Sequence, residues 1–248
     1  MDLGLQGKRA AVAAGSAGLG LGTARALVEA GARVAICGRD GGRLNSAAQS
    51  LGEAALPLVA DVSTVEGATA FVEAAQEGLG GLDILVTNAG GPPPGNFAST
   101  DLSAYPEALS LNLLSVVAMC TAALPAMQAQ GWGRILAITS ISVRQPLDNL
   151  ILSNTARAGA TGFLKTLANQ VAPDGITVNS IQPGLHRTAR LGALDAGALD
   201  SLAATIPTRT LGDAEDFGKV AAFLCSDAAR FINGAAIPVD GGAYPGLL

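Results

Sequence analysis

Short apolar runs alternate with longer amphipathic stretches along most of this chain. Six runs, RAAVAA (9–14), RVAIC (33–37), LPLVAD (56–61), DILVTN (83–88), RILAITS (134–140) and ITVNSI (176–181), are mostly continuous apolar stretches. Strands of a parallel sheet covered on both faces carry that signature; a half-exposed strand would show a polar residue at every second position. Between them, GLGTARALVEAG and TVEGATAFVEAAQEGLG place apolar residues at helical spacing. The second opens with Ser63 and Glu66 three apart, the spacing of a capping box. GGPPPGN (90–96) reads as a rigid loop, because three prolines between glycines continue neither a helix nor a strand. A strand–helix rhythm kept up from residue 9 to 181 predicts an α/β chain with one open, doubly wound parallel sheet and helices on both faces. No repeat and no Pro-, Gly- or Ser-rich linker divides it, so residues 1–248 are expected to form a single Rossmann-type domain.

Composition narrows the function classes. With 49% hydrophobic residues and 14% charged ones, the chain has enough apolar surface for a large buried sheet. A net charge of −5 leaves no basic footprint for nucleic acid. Cys37, Cys120 and Cys225 are odd in number, far apart and never paired as CxxC, which points to a reduced, cytoplasmic protein without disulfides or a zinc site. A single histidine excludes a multi-histidine metal centre, so no metal is expected. The start, MDLGLQGKRAAVAAG, lacks the charged and then long apolar segments of a signal peptide. Residues 108–133 carry no charge and are long enough to span a bilayer, but Asn112, Pro125, Gln128 and Gln130 interrupt them. A helix buried in protein, used also in subunit contact, is the expectation, with no membrane partner.

Two motifs carry binding chemistry. The first strand runs directly into AAGSAGLGLG (13–22) and then a helix. Small residues there let a pyrophosphate approach the free N–H groups and positive dipole end of the helix, although Gly18, Gly20 and Gly22 could equally serve close packing. The second strand ends in ICGRD, where an acidic residue directly after the strand would hold the ribose hydroxyls of NAD. Here Gly38 leaves space and Arg39 offers a fork suited to a 2′-phosphate, so NADP(H) is expected in preference to NAD(H).

Further motifs follow in a particular order. AAGSAGLG stands where a TGxxxGxG would be, with Ala13 and Ala14 replacing the Thr and first Gly; TNAG (87–90) matches NNAG; Asp61-Val62 matches an adenine-contacting pair. Asn112 in LNLLS, Ser140 in GRILAITS, Pro183-Gly184 followed by Thr188, and the tail FLCSDAARFINGAAIPVDGG complete the series. On these residues the chain resembles the short-chain dehydrogenase/reductase family over nearly its whole length, and within it the 3-oxoacyl-acyl-carrier-protein-reductase-like members. The resemblance implies a cytoplasmic homotetramer built through the long uncharged helix and the helix that begins near residue 151. It implies cofactor contacts from Gly15, Ser16, Gly18, Leu19, Gly20, Arg39, Asp61, Val62, Asn88, Ala89, Gly90, Arg157, Pro183, Gly184 and Thr188, and catalytic roles for Asn112 and Ser140. Pro92–Pro94, Ile141–Val143, Leu147, Leu150 and Leu185 would wall a largely apolar pocket for a small-molecule substrate.

One departure decides the chemistry. The family places the Tyr of a YxxxK pair thirteen residues after its serine; here Ser153 and Arg157 of SNTAR occupy those two positions. A phenol of ordinary pKa about 10, acidified by a nearby ammonium, exchanges a proton with substrate while hydride moves. A serine hydroxyl is far less acidic and lies closer to the backbone. An arginine keeps the positive charge but does not pass protons along. The cofactor-holding half of the site is therefore expected to survive Arg157, while the acid half must be supplied elsewhere. Tyr105 and Tyr244 are distant candidates; His186, in PGLHRTAR, is the stronger one, because histidine titrates near neutrality. A water held by Ser153 and Ser140 is another route. Arg187 and Arg190 in the same segment attract an acidic substrate group or keep the surface soluble. The expected activity is an NADP(H)-dependent oxidoreductase acting on a carbonyl, alcohol, C=N or C=C group with a non-standard proton donor. The alternatives are an isomerase or lyase on the same scaffold, or a silent dinucleotide-binding protein.

Overall fold

The computed structural model of the chain describes residues 2–192 and 194–247, with Arg190 described by its backbone alone. Seven strands, β1 (Arg9–Val12), β2 (Arg33–Gly38), β3 (Ala55–Val59), β4 (Ile84–Thr87), β5 (Gly133–Ile138), β6 (Ile176–Pro183) and β7 (Ala236–Val239), form one parallel sheet in the order β3-β2-β1-β4-β5-β6-β7. Eight helices cover it: α1 (Gly18–Glu29), α2 (Gly41–Leu51), α3 (Val65–Leu79), α4 (Tyr105–Leu109), α5 (Ser115–Gln130), α6 (Ile151–Val171), α7 (Ala196–Thr205) and α8 (Ala214–Leu224).

The apolar runs become central strands because their alternate side chains enter two different cores. In β4, Ile84 and Val86 join a core with Leu27 of α1, Leu44 of α2 and Phe217 of α8. Leu85, between them, joins the opposite core with Phe71 of α3, Met119 of α5 and Leu164 of α6. Both faces are thus dry, and a polar residue at either parity would lack a partner.

The structure adjusts several boundaries. β1 ends at Val12, earlier than its apolar run, because the chain turns at Ala13 and Ala14, with Ala14 in the left-handed region at φ 47°. The cap of α3 is Thr64, whose side chain accepts from Gly67 N at 3.1 Å, and not Ser63; Gly67 has no side chain to return the bond, so the expected capping box does not form. β7 lay outside the six expected strands: it is a four-residue, half-buried edge containing Pro238, and proline is tolerated only at such an edge.

The long uncharged segment is α4, a π-helical turn at Ser110–Leu114, and α5, in continuous succession. Leu102–Gln130 is apolar and long enough to cross a membrane, yet its most apolar window is only 44% buried. This chain alone therefore buries the segment on one side only. One side packs on the sheet through Met119, Ala123 and Met127, while Leu114, Thr121, Pro125 and Gln128 lie exposed along another.

Candidate functional site

β1 leads to β2 and β3 on one side and has β4 on its other, so the helices that follow β1 and β4 diverge and open a crevice at the carboxyl ends of the strands. A cleft of about 530 Å3 lies there, lined by Leu19, the loop Asn88–Pro94, Ile138, Thr139, Arg157 and Pro183. Asn88 ties its two walls together, donating from Nδ2 to the Ala14 carbonyl at 3.4 Å.

The turn between β1 and α1 is built for close backbone approach. Its residues are pinned by Ala13 N donating to Val86 O at 3.0 Å and Gly15 N donating to Cys37 O at 2.9 Å. Ala17, the N-cap of α1, supplies no side-chain acceptor, and the first turn holds no acidic residue, so its N–H groups and positive dipole end are left for an anion. The three glycines have different duties. Gly18 adopts φ +55° beside the Thr188 side chain. A Cβ on Gly20 would collide with the Ala14 carbonyl, and one on Gly22 with the Ala214 carbonyl of α8, so Gly22 serves helix packing and not the cleft.

At the end of β2, a Cβ on Gly38 would lie 2.8 Å from Ser16 Oγ, which brings that hydroxyl beside the exposed Arg39. Asp40, the nearby acid, is used as the cap of α2, accepting from Arg43 N at 2.9 Å. Asp61 accepts from Ser63 N at 3.0 Å, and that bond, with Arg39 adding attraction, holds its carboxyl below the usual range. Val62 beside it is buried. An adenosine carrying a 2′-phosphate fits this corner: a hydroxyl, a guanidinium and no carboxylate directly after the strand.

Arg157 occupies the floor of the cleft and is 8% exposed. Its Nη1 donates to the carbonyls of Ile138 (3.0 Å) and Thr139 (3.2 Å), and its Nη2 approaches those of Ala89 and Gly90 at 3.5 Å. The guanidinium thus clasps the ends of β4 and β5, with carbonyl acceptors that no side-chain motif reveals. Ser153 lies one turn earlier on the same face of α6 and is buried. Ser140 Oγ accepts from Ser142 N at 3.1 Å, capping a short 3-10 turn and leaving its O–H free to donate. Asn112 sits in the π-helical turn, 3% exposed, and donates from Nδ2 to the Gly90 carbonyl at 2.9 Å. Its donors face the loop, so it supports the cleft wall; Asn112, Ser140 and Ser153 all lie outside the residues that line the cleft, unlike the polar pair expected there.

His186 is the largest correction. Its ring is 7% exposed, packs edge-on to Phe217 of α8 with centroids 5.2 Å apart, and has Nδ1 3.2 Å from the Gly184 carbonyl. That oxygen only accepts, so Nδ1 carries the proton; burial pushes the imidazole below its ordinary pKa. His186 does not line the cleft; it bridges to Gly212, with Gly212 N donating to Leu185 O (3.0 Å) and Arg187 N to Gly212 O (2.8 Å). The ring takes the space that Gly212 leaves, where a Cβ would lie 2.5 Å from its Cδ2, and so packs toward α8. Neither tyrosine lines the cleft, and Tyr244 lies under the Arg144 guanidinium, 5.9 Å from it. Of the expected walls, Pro92–Pro94 line the cleft, whereas Ile141–Val143, Leu147, Leu150 and Leu185 do not. The Arg190 side chain lies outside the described residues.

A family model described as enoyl-(acyl carrier protein) reductase matches residues 13–244. The human dehydrogenase/reductase SDR family member 4 is 32% identical over 244 residues, covering 96% of this chain and 88% of that protein. The 3-oxoacyl-acyl-carrier-protein reductase of Pseudomonas aeruginosa is 34% identical, covering 98% and 99%. A crystal structure of L-sorbose reductase from Gluconobacter frateurii, complexed with NADPH and L-sorbose, superimposes with a TM-score of 0.93 at 33% identity over the whole of both chains.

Proposed function

We propose, since this chain belongs to the short-chain dehydrogenase/reductase family, that it is an NADP(H)-dependent oxidoreductase whose proton donor is not the family's tyrosine. The observation that carries the reading is Arg157: it stands where the family has its lysine and stays buried at the cleft floor, held by the Ile138 and Thr139 carbonyls. A positive charge fixed at that point serves a bound dinucleotide and a polarised substrate. The uncapped first turn of α1 would hold the pyrophosphate, Ser16 and Arg39 the 2′-phosphate, and Asp61 and Val62 the adenine. A nicotinamide bound here supplies the hydride. The relative bound to NADPH supports the same preference.

The proton side determines the substrate. Among the described residues lining the cleft, Arg157 is the one ionisable group, and arginine does not release its proton at working pH. A cyclic or secondary iminium, already protonated, needs no acid; on the proton side a small, largely apolar C=N compound beside Pro92–Pro94 therefore has the advantage over a simple ketone, set against the repulsion between its charge and that of Arg157. For a carbonyl, the Ser140 and Ser153 hydroxyls would position a water as the donor. The same lack of an acid favours the second reading, a dinucleotide-binding protein without turnover.

The chain acts without nucleic acid or membrane partners in this reading, in a reducing cytoplasm that suits its three buried thiols, as a homotetramer. Calorimetric titration with NADPH, NADP, NADH and NAD, followed by NADPH consumption over an imine and ketone panel, tests the assignment. Tight NADP(H) binding that weakens by about tenfold or more in Arg39→Gln, with NAD(H) unaffected, is expected from losing a charge-assisted pair. Binding of none of the four nucleotides rejects redox chemistry, and binding without turnover selects the silent protein.

A further inference from the structure

A second cavity, about 380 Å3, lies away from the cleft and shares none of its lining. It is wedged between α6, which contributes Thr161 and Lys165, and the edge of the sheet, where β6 contributes Ser180 and the approach to β7 contributes Gly234. Arg144, four residues beyond Ser140, closes one side. No carboxylate lines it, and neither Arg144 nor Lys165 has an ion-pair partner among the described residues. Two unpaired cations in one concavity are unusual for a chain with a net charge of −5.

The donors can be counted against their acceptors. Arg144 spends two of its five N–H groups, Nε on Gln182 Oε1 (2.8 Å) and Nη2 on the Ala236 carbonyl (2.6 Å). Lys165 spends one of three, on the Gly234 carbonyl at 3.1 Å. Gln182 is fully buried on the same face of β6 as Ser180. Its Oε1 is fixed by Arg144, which leaves Nε2 as a buried donor without a partner among the described residues. Surplus donors on an arginine and a lysine, with a serine hydroxyl in the same lining and no acid there, are the complement of a multiply charged oxyanion.

We propose that this cavity binds a phosphoryl group, either as free phosphate or as the terminal group of a small phosphate ester. Arg144, held in place by Gln182 and Ala236, presents its remaining edge; Lys165 supplies a mobile point charge from the rim; Ser180 adds a hydroxyl at the floor. The site is independent of the dinucleotide reading, because none of these residues touches the cleft.

The test is calorimetric titration of the full chain with inorganic phosphate and, separately, glycerol 3-phosphate, in wild type, Lys165→Gln, Lys165→Arg and Ser180→Ala. Lys165 is exposed on its helix, so its variants keep the fold, which equal melting temperatures verify. The proposal expects saturable binding that weakens about tenfold in Lys165→Gln, recovers in Lys165→Arg and declines as NaCl rises. Binding of the ester as tightly as the ion assigns a metabolite; binding of the ion alone assigns free phosphate. No binding of either probe, or identical binding in wild type and Lys165→Gln, overturns it.

Discussion

Arg157 and His186 illustrate how a single side chain's surroundings rewrite its chemistry. Under the proposed reading, an arginine at the lysine position loses the option of passing a proton; what the structure gives it is geometry, since Nη1 meets both the Ile138 and the Thr139 carbonyl. His186 has gone the other way: an acid–base residue by type, it is a packing residue by position, wedged on Phe217. Its burial makes a pH prediction with a definite sign. The folded state holds the imidazole neutral below its ordinary pKa of 6.5, so between that value and the lower folded one only the unfolded chain takes up the proton. His186 therefore stabilises the fold fully above about pH 6.5 and progressively less as pH falls through it, by up to roughly 1.4 kcal/mol per pH unit. The chain has one histidine, and Asp61 and Asp83 titrate below the usual carboxylate range, outside this window. Urea midpoints at pH 7.5 and 5.5 check it: the wild type loses stability on acidification, and His186→Gln shows a flatter response. The proton-donor expectation for His186 failed because its place after Pro183-Gly184 locates the backbone but says nothing of which wall the ring joins.

At the scale of elements, the turn between β1 and α1 concentrates both strain and fit. Ala14 holds φ 47°, where an L-residue with a Cβ costs about 1–2 kcal/mol and glycine costs nothing sterically. Ala14→Gly, restoring the family's residue at this turn, is expected to raise the melting temperature by roughly 2–4 °C, the shift that about 1 kcal/mol gives a domain of this size. A thermal melt followed by circular dichroism decides it; a lower melting temperature would mean the looser unfolded chain outweighs the relieved turn. The sequence makes this turn legible, since a glycine cluster between strand and helix has few structural uses. It does not divide the labour among Gly18, Gly20 and Gly22, because close approach to Ala214, nearly two hundred residues away in the chain, leaves no local trace. The six expected strands, five buried and β3 at an edge, were readable for the opposite reason: each obeys its own local pattern. β7 was not: its four residues AIPV follow Gly234 and contain Pro238, too short an apolar run to stand out, whereas β3, also an edge with a proline, is read from the longer LPLVAD.

The whole molecule leaves one side of its largest apolar helix unfinished. Leu114 is 45% exposed on the outer line of α5, and the neighbouring exposed line of α6 is made of small residues, Thr155, Ala158, Gly159 and Gly162. Small residues beside an uncharged line led by Leu114 let two helices approach closely, so the tetramer proposed above would meet here. Leu114→Lys is expected to shift light-scattering mass toward smaller species while the far-ultraviolet spectrum is unchanged; an unaltered mass would move the contact elsewhere.

The bridge between His186 and Gly212 also has a consequence for engineering. It brings the ends of the 187–211 segment together, with two backbone hydrogen bonds already made and α8 starting immediately beyond. Closing a loop costs little more as it lengthens once its ends are held. The exchangeable part of the segment is its solvent-facing stretch, α7, where length or composition can change while Thr188 stays beside Gly18 and Ile206 stays buried.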